Sequence, residues 1–260
     1  IKDKERVELI RWFAKRQKLG DDWADRMIAG GNPVGIWTRR VVEYKRLDRF
    51  ADVLESPELR EKFLNSGLIF VIGGRMHQDD SYGLEQYARV QEMIVADKRL
   101  KDRVIFFDNY NLWEAPRLFK GVHVSTMLAK DKHEAAATGF QKVQMNGGLI
   151  IASKDGGVPE SVTFYDGSND PAANGFNVPY DEVGDPTPEG LAQAFEDFGN
   201  VYRDKVKLGR MVRNALSQTH FVSIDRTAKD MLKFFAAGQK RFNQDVEYRK
   251  RGEAIADRLI

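Results

Sequence analysis

Cysteine is missing altogether from this 260-residue chain. Its absence excludes disulfides, thiolate metal sites and cysteine nucleophiles, and it fits a reducing compartment. Net charge is also scarce, because 41 basic and 39 acidic side chains leave only +2. That balance argues against nucleic acid or an anionic membrane as a partner. No long apolar run exists either. The longest, "LIFVI", falls far short of the roughly 20 residues a membrane-crossing helix needs. The opening "IKDKERVELIRWF" is charged and helix-periodic, so it does not read as a secretory leader. It starts at Ile within a helical pattern, which reads as a piece of something longer. Internal repeats, low-complexity segments and a GxGxxG dinucleotide fingerprint are absent as well. What is present is 42% hydrophobic and 31% charged, the composition of a soluble globular protein with a core; a cytoplasmic location is expected.

Short apolar runs alternate with amphipathic stretches. "VGIWTRRV" (34–41), "LIFVIGG" (68–74), "RVIFFDN" (103–109), "VHVSTML" (122–128) and "LIIAS" (149–153) read as buried strands. "DRFADVLESPELREKFL" and "GLEQYARVQEMIVADKRL" carry apolar residues every three or four positions and read as helices. Within the first, Ser56-Pro57 is a helix start, with Glu58 favoured by the helix dipole. This alternation predicts an α/β, Rossmann-like three-layer domain with a mostly parallel sheet. The expected division is a helical lead-in over 1–33, the Rossmann-like phosphate- or cofactor-binding domain over 34–225, and a helical tail over 226–260. A Gly-, Asn-, Asp- and Pro-rich loop begins near 165, and helices resume near Pro188.

Ligands of open parallel sheets bind at the carboxyl ends of the strands, so three strand-end segments are site candidates. "RRVVEYKR" places Arg39, Arg40, Lys45 and Arg46 within eight residues, with Tyr44 among them. Guanidinium forks and a lysine point charge suit phosphate oxygens; the plain alternative is a solvated basic turn. In "HEAAATGFQK", Glu134 can accept from sugar hydroxyls, the small residues lead into a helix start, and Lys142 follows about two turns later. The plain alternative makes Lys142 a surface residue. In "KDGGVPE", glycines permit close backbone approach beside Asp155 and Glu160, or the segment is an ordinary turn. Gly73-Gly74 is a further candidate by position. "HQDD" (77–80) is a weak metal candidate, although His77 could line a cleft.

In this order and spacing, "RRVVEYKR", "FVIGGRMHQDDSYG", "VIFFDNYNLWEAPRLFKGVHV" and "EAAATGFQKVQMNGGLIIASKDGG" resemble the C-terminal domain of the α-glucan (glycogen, starch, maltodextrin) phosphorylases. "NGFNVP" looks like the next strand, and the resemblance covers roughly 35–235. It implies the C-terminal half of a two-Rossmann-domain (GT-B type) glycosyltransferase. It also implies pyridoxal phosphate as a Schiff base on Lys142, with the cofactor acting through its phosphate. The reaction implied is phosphorolysis of α-1,4-glucan to glucose 1-phosphate. Arg40 and Lys45 match substrate-phosphate binders, and Arg39 a basic position near the cofactor phosphate. Thr138 and Gly139 match contacts to the cofactor phosphate, Glu134 a glucose-hydroxyl ligand, and Tyr44 an aromatic neighbour of the sugar. Burial of Lys142 among these cations would favour the neutral amine that imine formation needs. Ala136 and Ala137 stand where the family has Ser and Gly, Gln141 replaces a methionine, and Phe140 is bulkier than the family's residue; Ala137 would thus stand against the sugar.

Two other readings use the same scaffold. Nucleotide-sugar glycosyltransferases of the GT-B type also carry Arg-x4-Lys after this strand, but the second glutamate of their Glu-x7-Glu motif is replaced here by Lys142. A non-catalytic sugar-phosphate-binding module is the third. Expected partners are α-glucan with phosphate or a sugar phosphate, an N-terminal Rossmann-like domain completing the cleft, and a second copy in a homodimer. The isolated chain is expected to be inactive.

Overall fold

The computed structural model describes residues 2–74, 80–107, 110–167 and 171–257, and the chain divides into two compact units, Ile1–Gln218 and Thr219–Ile260. The first unit is built on β1 (Val34–Thr38), β2 (Ile69–Gly73), β3 (Val104–Phe107), β4 (Val124–Met127), β5 (Leu149–Ala152) and β6 (Gly175–Asn177). These strands form one sheet in the order β3-β2-β1-β4-β5-β6, and every pairing is parallel. The helices are α1 (Lys2–Arg16), α2 (Asp21–Ala29), α3 (Asp48–Glu55), α4 (Pro57–Asn65), α5 (Ser81–Ala96), α6 (Lys98–Lys101), α7 (Ala115–Gly121), α8 (Gly139–Gln144), α9 (Val158–Ser161), α10 (Pro188–Arg203) and α11 (Lys205–Ser217). The stretch expected as a lead-in, 1–33, supplies α1 and α2 of this unit.

Successive strand residues point to opposite faces, and both faces are covered. Phe70 and Ile72 of β2 enter a core with Phe50 of α3, Phe63 of α4 and Phe195 of α10. Ring centroids there lie 4.6 Å apart for Phe50–Phe70 and 5.2 Å apart for Phe63–Phe195. Ile69 and Val71 enter the other core, with Leu9 and Phe13 of α1, Leu118 of α7 and Phe140 of α8. Burial on both sides explains why these strands read as unbroken apolar runs. The helix starts follow local chemistry. Ser56 Oγ accepts from Leu59 N at 3.4 Å ahead of Pro57, and Thr187 Oγ1 accepts from Gly190 N at 3.2 Å ahead of Pro188. Each cap of this kind is worth about 1 kcal/mol.

Connections leave β1 toward β2 and β4 toward β5, so the chain runs in opposite directions from neighbouring strands. A crevice opens where they part, at the carboxyl ends. A 3-10 turn (Gln218–Val222) begins at the last residue of the first unit, and the second unit carries the rest of it with α12 (Ile224–Gln244) and α13 (Val246–Ala256). Its helices contain no buried residue.

Candidate functional site at the parting of β1 and β4

β1 ends at Thr38, and both arginines expected in the strand lie just beyond it. Arg39 N donates to Gly73 O at 3.0 Å, and a Cβ on Gly74 would stand 2.1 Å from the Arg39 carbonyl oxygen. The glycine pair thus lets two strand ends approach closely. The Arg39 side chain, 9% exposed, donates to the Leu128 carbonyl and to the Glu134 carboxylate. A 3-10 turn over Glu43–Lys45 brings Lys45 back to the same carboxylate, with Nζ 2.8 Å from Glu134 Oε2 and 4.9 Å from the centre of the Tyr44 ring. Arg40 is exposed and has no ion-pair partner among the described residues. Arg46, the fourth cation of the segment, turns elsewhere. It adopts φ +53 and pairs with Asp48 at 3.0 Å and Asp185 at 3.3 Å, so it joins a buried structural network.

From the other side come β4 and the loop leading to α8. Asp155 fixes that loop: its Oδ2 accepts from His133 N at 3.0 Å and Glu134 N at 2.8 Å, and its Oδ1 accepts from Gly156 N at 2.8 Å. Gly157 N donates to Ala136 O at 2.9 Å. Gly156 has φ +58, and a Cβ there would sit 3.0 Å from Glu134 Cγ and 3.1 Å from Ala136 O. "KDGG" is therefore a clamp on "EAAA", and the buried Asp155 serves as its tie. Glu160 is exposed on α9, where its N–H donates to Gly157 O at 3.3 Å.

These two sides enclose a cavity of about 200 Å³ lined by Arg39, Arg40 and Lys45. Thr126 and Met127 form its β4 wall, and Ala137, Thr138, Gly139 and Phe140 its α8 wall. Arg39 and Lys45 share the carboxylate of Glu134 and Arg40 adds a third cation, which leaves an excess of positive charge. Burial lowers the Arg39 guanidinium from its ordinary value, while Glu134, Tyr44 and Asp155 raise it in part. The arrangement can hold an anion with several acceptor oxygens. A larger groove of about 790 Å³ lies between α1 and α7, but it mixes Glu5, Glu8 and Glu114 with Arg11, Arg117 and Lys120 and so lacks a charge excess of either sign.

Lys142 is exposed, contrary to the burial expected for it. It lines a shallow groove with Leu112, Ala115, Pro116, Phe119 and Met145 instead of the cation-lined cavity. Even so, Lys142 and Gly139 stand i,i+3 on one short helix, a spacing that shares a face. The Lys142 amine is reachable and has an apolar wall beside it, but it opens on this outer groove, whereas Thr138 and Gly139 line the cation-lined cavity. Tyr44 is half-buried beside Lys45, and its carbonyl accepts from Lys130 N at 2.8 Å. His77 lies outside the described residues. The Thr126 and Ser125 lining was not anticipated; its one signal is polar residues near the carboxyl end of the otherwise apolar run "VHVSTML".

A family model described as carbohydrate phosphorylase matches residues 77–163. The glycogen phosphorylase of Mycobacterium tuberculosis is 31% identical over 148 residues, spanning 55% of this chain and 16% of that protein. The maltodextrin phosphorylase of Thermococcus litoralis is 27% identical over 140 residues, spanning 51% of this chain and 16% of that protein. The match thus reaches about a sixth of the length of these relatives. Among solved structures, the C-terminal domain of a group 1 family glycosyl transferase (LpcC) from Francisella tularensis superposes with a TM-score of 0.54 at 16% identity, over 77% of this chain and 90% of that one. That likeness establishes the fold: a GT-B type Rossmann-like domain.

Proposed function

We propose that this chain, which a carbohydrate phosphorylase family model matches over residues 77–163, is the phosphate-binding half of a hexosyltransferase that cleaves α-1,4-glucan with inorganic phosphate. The observation that carries this reading is the convergence of Arg39, Arg40 and Lys45 on one cavity where β1 and β4 part. Arg40, uncommitted among the described residues, takes the phosphate, and Lys45 shares it with Glu134. Glu134 keeps both of its cations through Oε2 and has lone pairs left to accept a glucosyl hydroxyl. Retaining glycosyl transfer passes through an oxocarbenium-like state, and fixed charges aimed at a developing ion pair stabilise it without reorganising.

Lys142 would hold pyridoxal phosphate, with Thr138 and Gly139 toward its phosphate; when bound, that phosphate supplies a proton-exchanging anionic group beside the substrate phosphate. Ala115, Pro116 and Phe119 of the Lys142 groove would offer an apolar wall to a flat ring. The remainder of the sugar site lies in a partner domain, so turnover belongs to the longer protein.

The test is borohydride reduction of the full-length protein followed by peptide mapping, with glucose 1-phosphate measured in parallel. A pyridoxyl group on Lys142 and phosphate-dependent release of glucose 1-phosphate are expected. Sugar transfer from a nucleotide sugar with Lys142 unmodified would overturn the reading in favour of a donor-binding transferase domain. Sugar-phosphate binding without any turnover would overturn it in favour of a binding module.

A further inference from the structure

The first unit has a second cavity at the amino ends of its strands. It measures about 430 Å³ and is lined by His123, Tyr202, Lys2 and Lys205 with the apolar Leu208 and Val212. His123 immediately precedes β4, whose other end, Met127, lines the cation-lined cavity. Met127 lies four residues on, a span of about 13 Å at about 3.3 Å per residue, and Ser125, two residues from His123, is the nearest point of the same strand to line that cavity.

His123 is 7% exposed. Its Nδ1 accepts from Val34 N at 3.3 Å, which places the ring proton on Nε2. Tyr202 stands edge-on to the ring, with centroids 5.2 Å apart. Among the described residues no hydrogen bond reaches Nε2, so this N–H donor opens on the cavity and is free to meet a ligand. Burial together with Lys2, Arg6 and Lys205 holds the imidazole well below its ordinary value, so the ring acts as a neutral donor.

The cations beside it keep donor capacity. Lys2 Nζ donates to the carbonyls of Lys120 and Asn146, each at 2.9 Å. Lys205 Nζ donates to the Tyr202 carbonyl at 3.1 Å and stands 4.3 Å from the centre of its ring. An ammonium has three donors, so both retain at least one. The carboxylate lining the cavity, Asp3, already accepts from Arg6 at 2.9 Å, which compensates its charge.

We propose that this cavity binds a small organic carboxylate. The anionic end meets Nε2–H of His123 and the ammonium groups of Lys2 and Lys205, and the apolar body lies along Leu208, Val212 and the Tyr202 ring. One neutral donor and two partly committed ammonium groups suit a monoanion better than a phosphate dianion. The apolar walls require a hydrocarbon or aromatic body. The site stands apart from the glycosyl-transfer cavity and does not depend on its assignment.

The test uses the full chain with isotope-labelled histidine, whose ring signals come from His77, His123, His133 and His220. Phenylacetate is the probe, and neutral phenylacetamide is its control. Phenylacetate, titrated to about 10 mM, is expected to shift the His123 ring and leave His133, next to Glu134 of the cation-lined cavity, unmoved. The amide is expected to give no shift. Lys205→Gln, at an exposed position, should weaken the response about tenfold, as loss of a charged hydrogen-bond donor does. Val212→Phe should abolish it by filling the apolar wall. No shift at His123, an equal response to the amide, a response at His133 instead, or a response unchanged in both variants would each overturn the proposal.

Discussion

Ala137 is held at φ +57, a left-handed conformation that costs a residue with a Cβ about 1–2 kcal/mol. The Asp155 clamp imposes it, because Glu134 N and Ala136 O on the preceding residues are both pinned. Ala137→Gly should therefore stabilise the chain by about 1 kcal/mol, raising the melting temperature by about 2–4 °C, as thermal unfolding would show. An unchanged or lower melting temperature would mean that the Ala137 methyl, packed against the second core, outweighs the strain. Glu134 presents the opposite case. Two cations, each 9% exposed, share one of its oxygens, and removing the charge from such a buried pair costs about 3 kcal/mol or more. Glu134→Gln is expected to lower stability by about that amount, yet to be stabilised by added phosphate more than the parent chain, because the anion replaces the missing counter-ion. Melting curves with and without phosphate decide it; equal phosphate shifts would remove Glu134 from the anion site. Sequence spacing brought Glu134, Arg39 and Lys45 forward, but it could not say that they would neutralise one another. That depends on the Glu43–Lys45 turn, which folds Lys45 back while sending Arg46 to Asp185.

Loop and helix boundaries were legible wherever a local rule decides them. Pro188 opens α10 behind its Thr187 cap, as the return of helical sequence there suggests, and Ser56-Pro57 opens α4. The apolar runs gave all five expected strands, each shorter than its run because polar ends such as Arg39 and Arg40 leave the sheet. The facing of α8 was not legible. Six residues carry too little periodicity to choose between the cavity, where Phe140 lies, and the outer groove, where Lys142 lies. Tertiary packing of Phe140 and Val143 into the second core makes that choice. The glycines of "KDGG" were read as room for close approach, and here the element acts as a unit. Gly156→Ala must both leave a left-handed φ and push against Glu134 and Ala136. Its expected cost is about 2 kcal/mol, together with weaker phosphate binding, because the Glu134 loop moves. Gly31→Ala is the matched control, since Gly31 has φ +64 with open space around it; it should lose similar backbone energy while phosphate affinity, read by calorimetry, stays the same. Equal phosphate affinity in both variants would separate the clamp from the site.

At the scale of the whole molecule, the first unit places the cation-lined cavity at one end of the sheet and a buried neutral histidine at the other. His123 couples that placement to pH. Its folded-state value lies well below the ordinary 6.5, so below about pH 6.5 the unfolded chain binds a proton that the folded chain refuses. Stability then rises with pH across this range and is lost as pH falls. For one such group the loss amounts to about 1.4 kcal/mol by pH 5.5. Urea unfolding between pH 7.5 and 5.5 measures it. His123→Phe should be less stable at pH 7.5, because Val34 N loses its acceptor, but its stability should fall less steeply toward acid by that same amount. The sign distinguishes the cause: a histidine stabilised in its charged form would make the parent chain more stable in acid, and the slopes of the two proteins would exchange order. Parallel slopes would mean that the ring is protonated in the folded chain as readily as in the unfolded one. In that case the Nδ1 bond to Val34, and with it the packing of β1 against β4 at their amino ends, would not hold at acid pH.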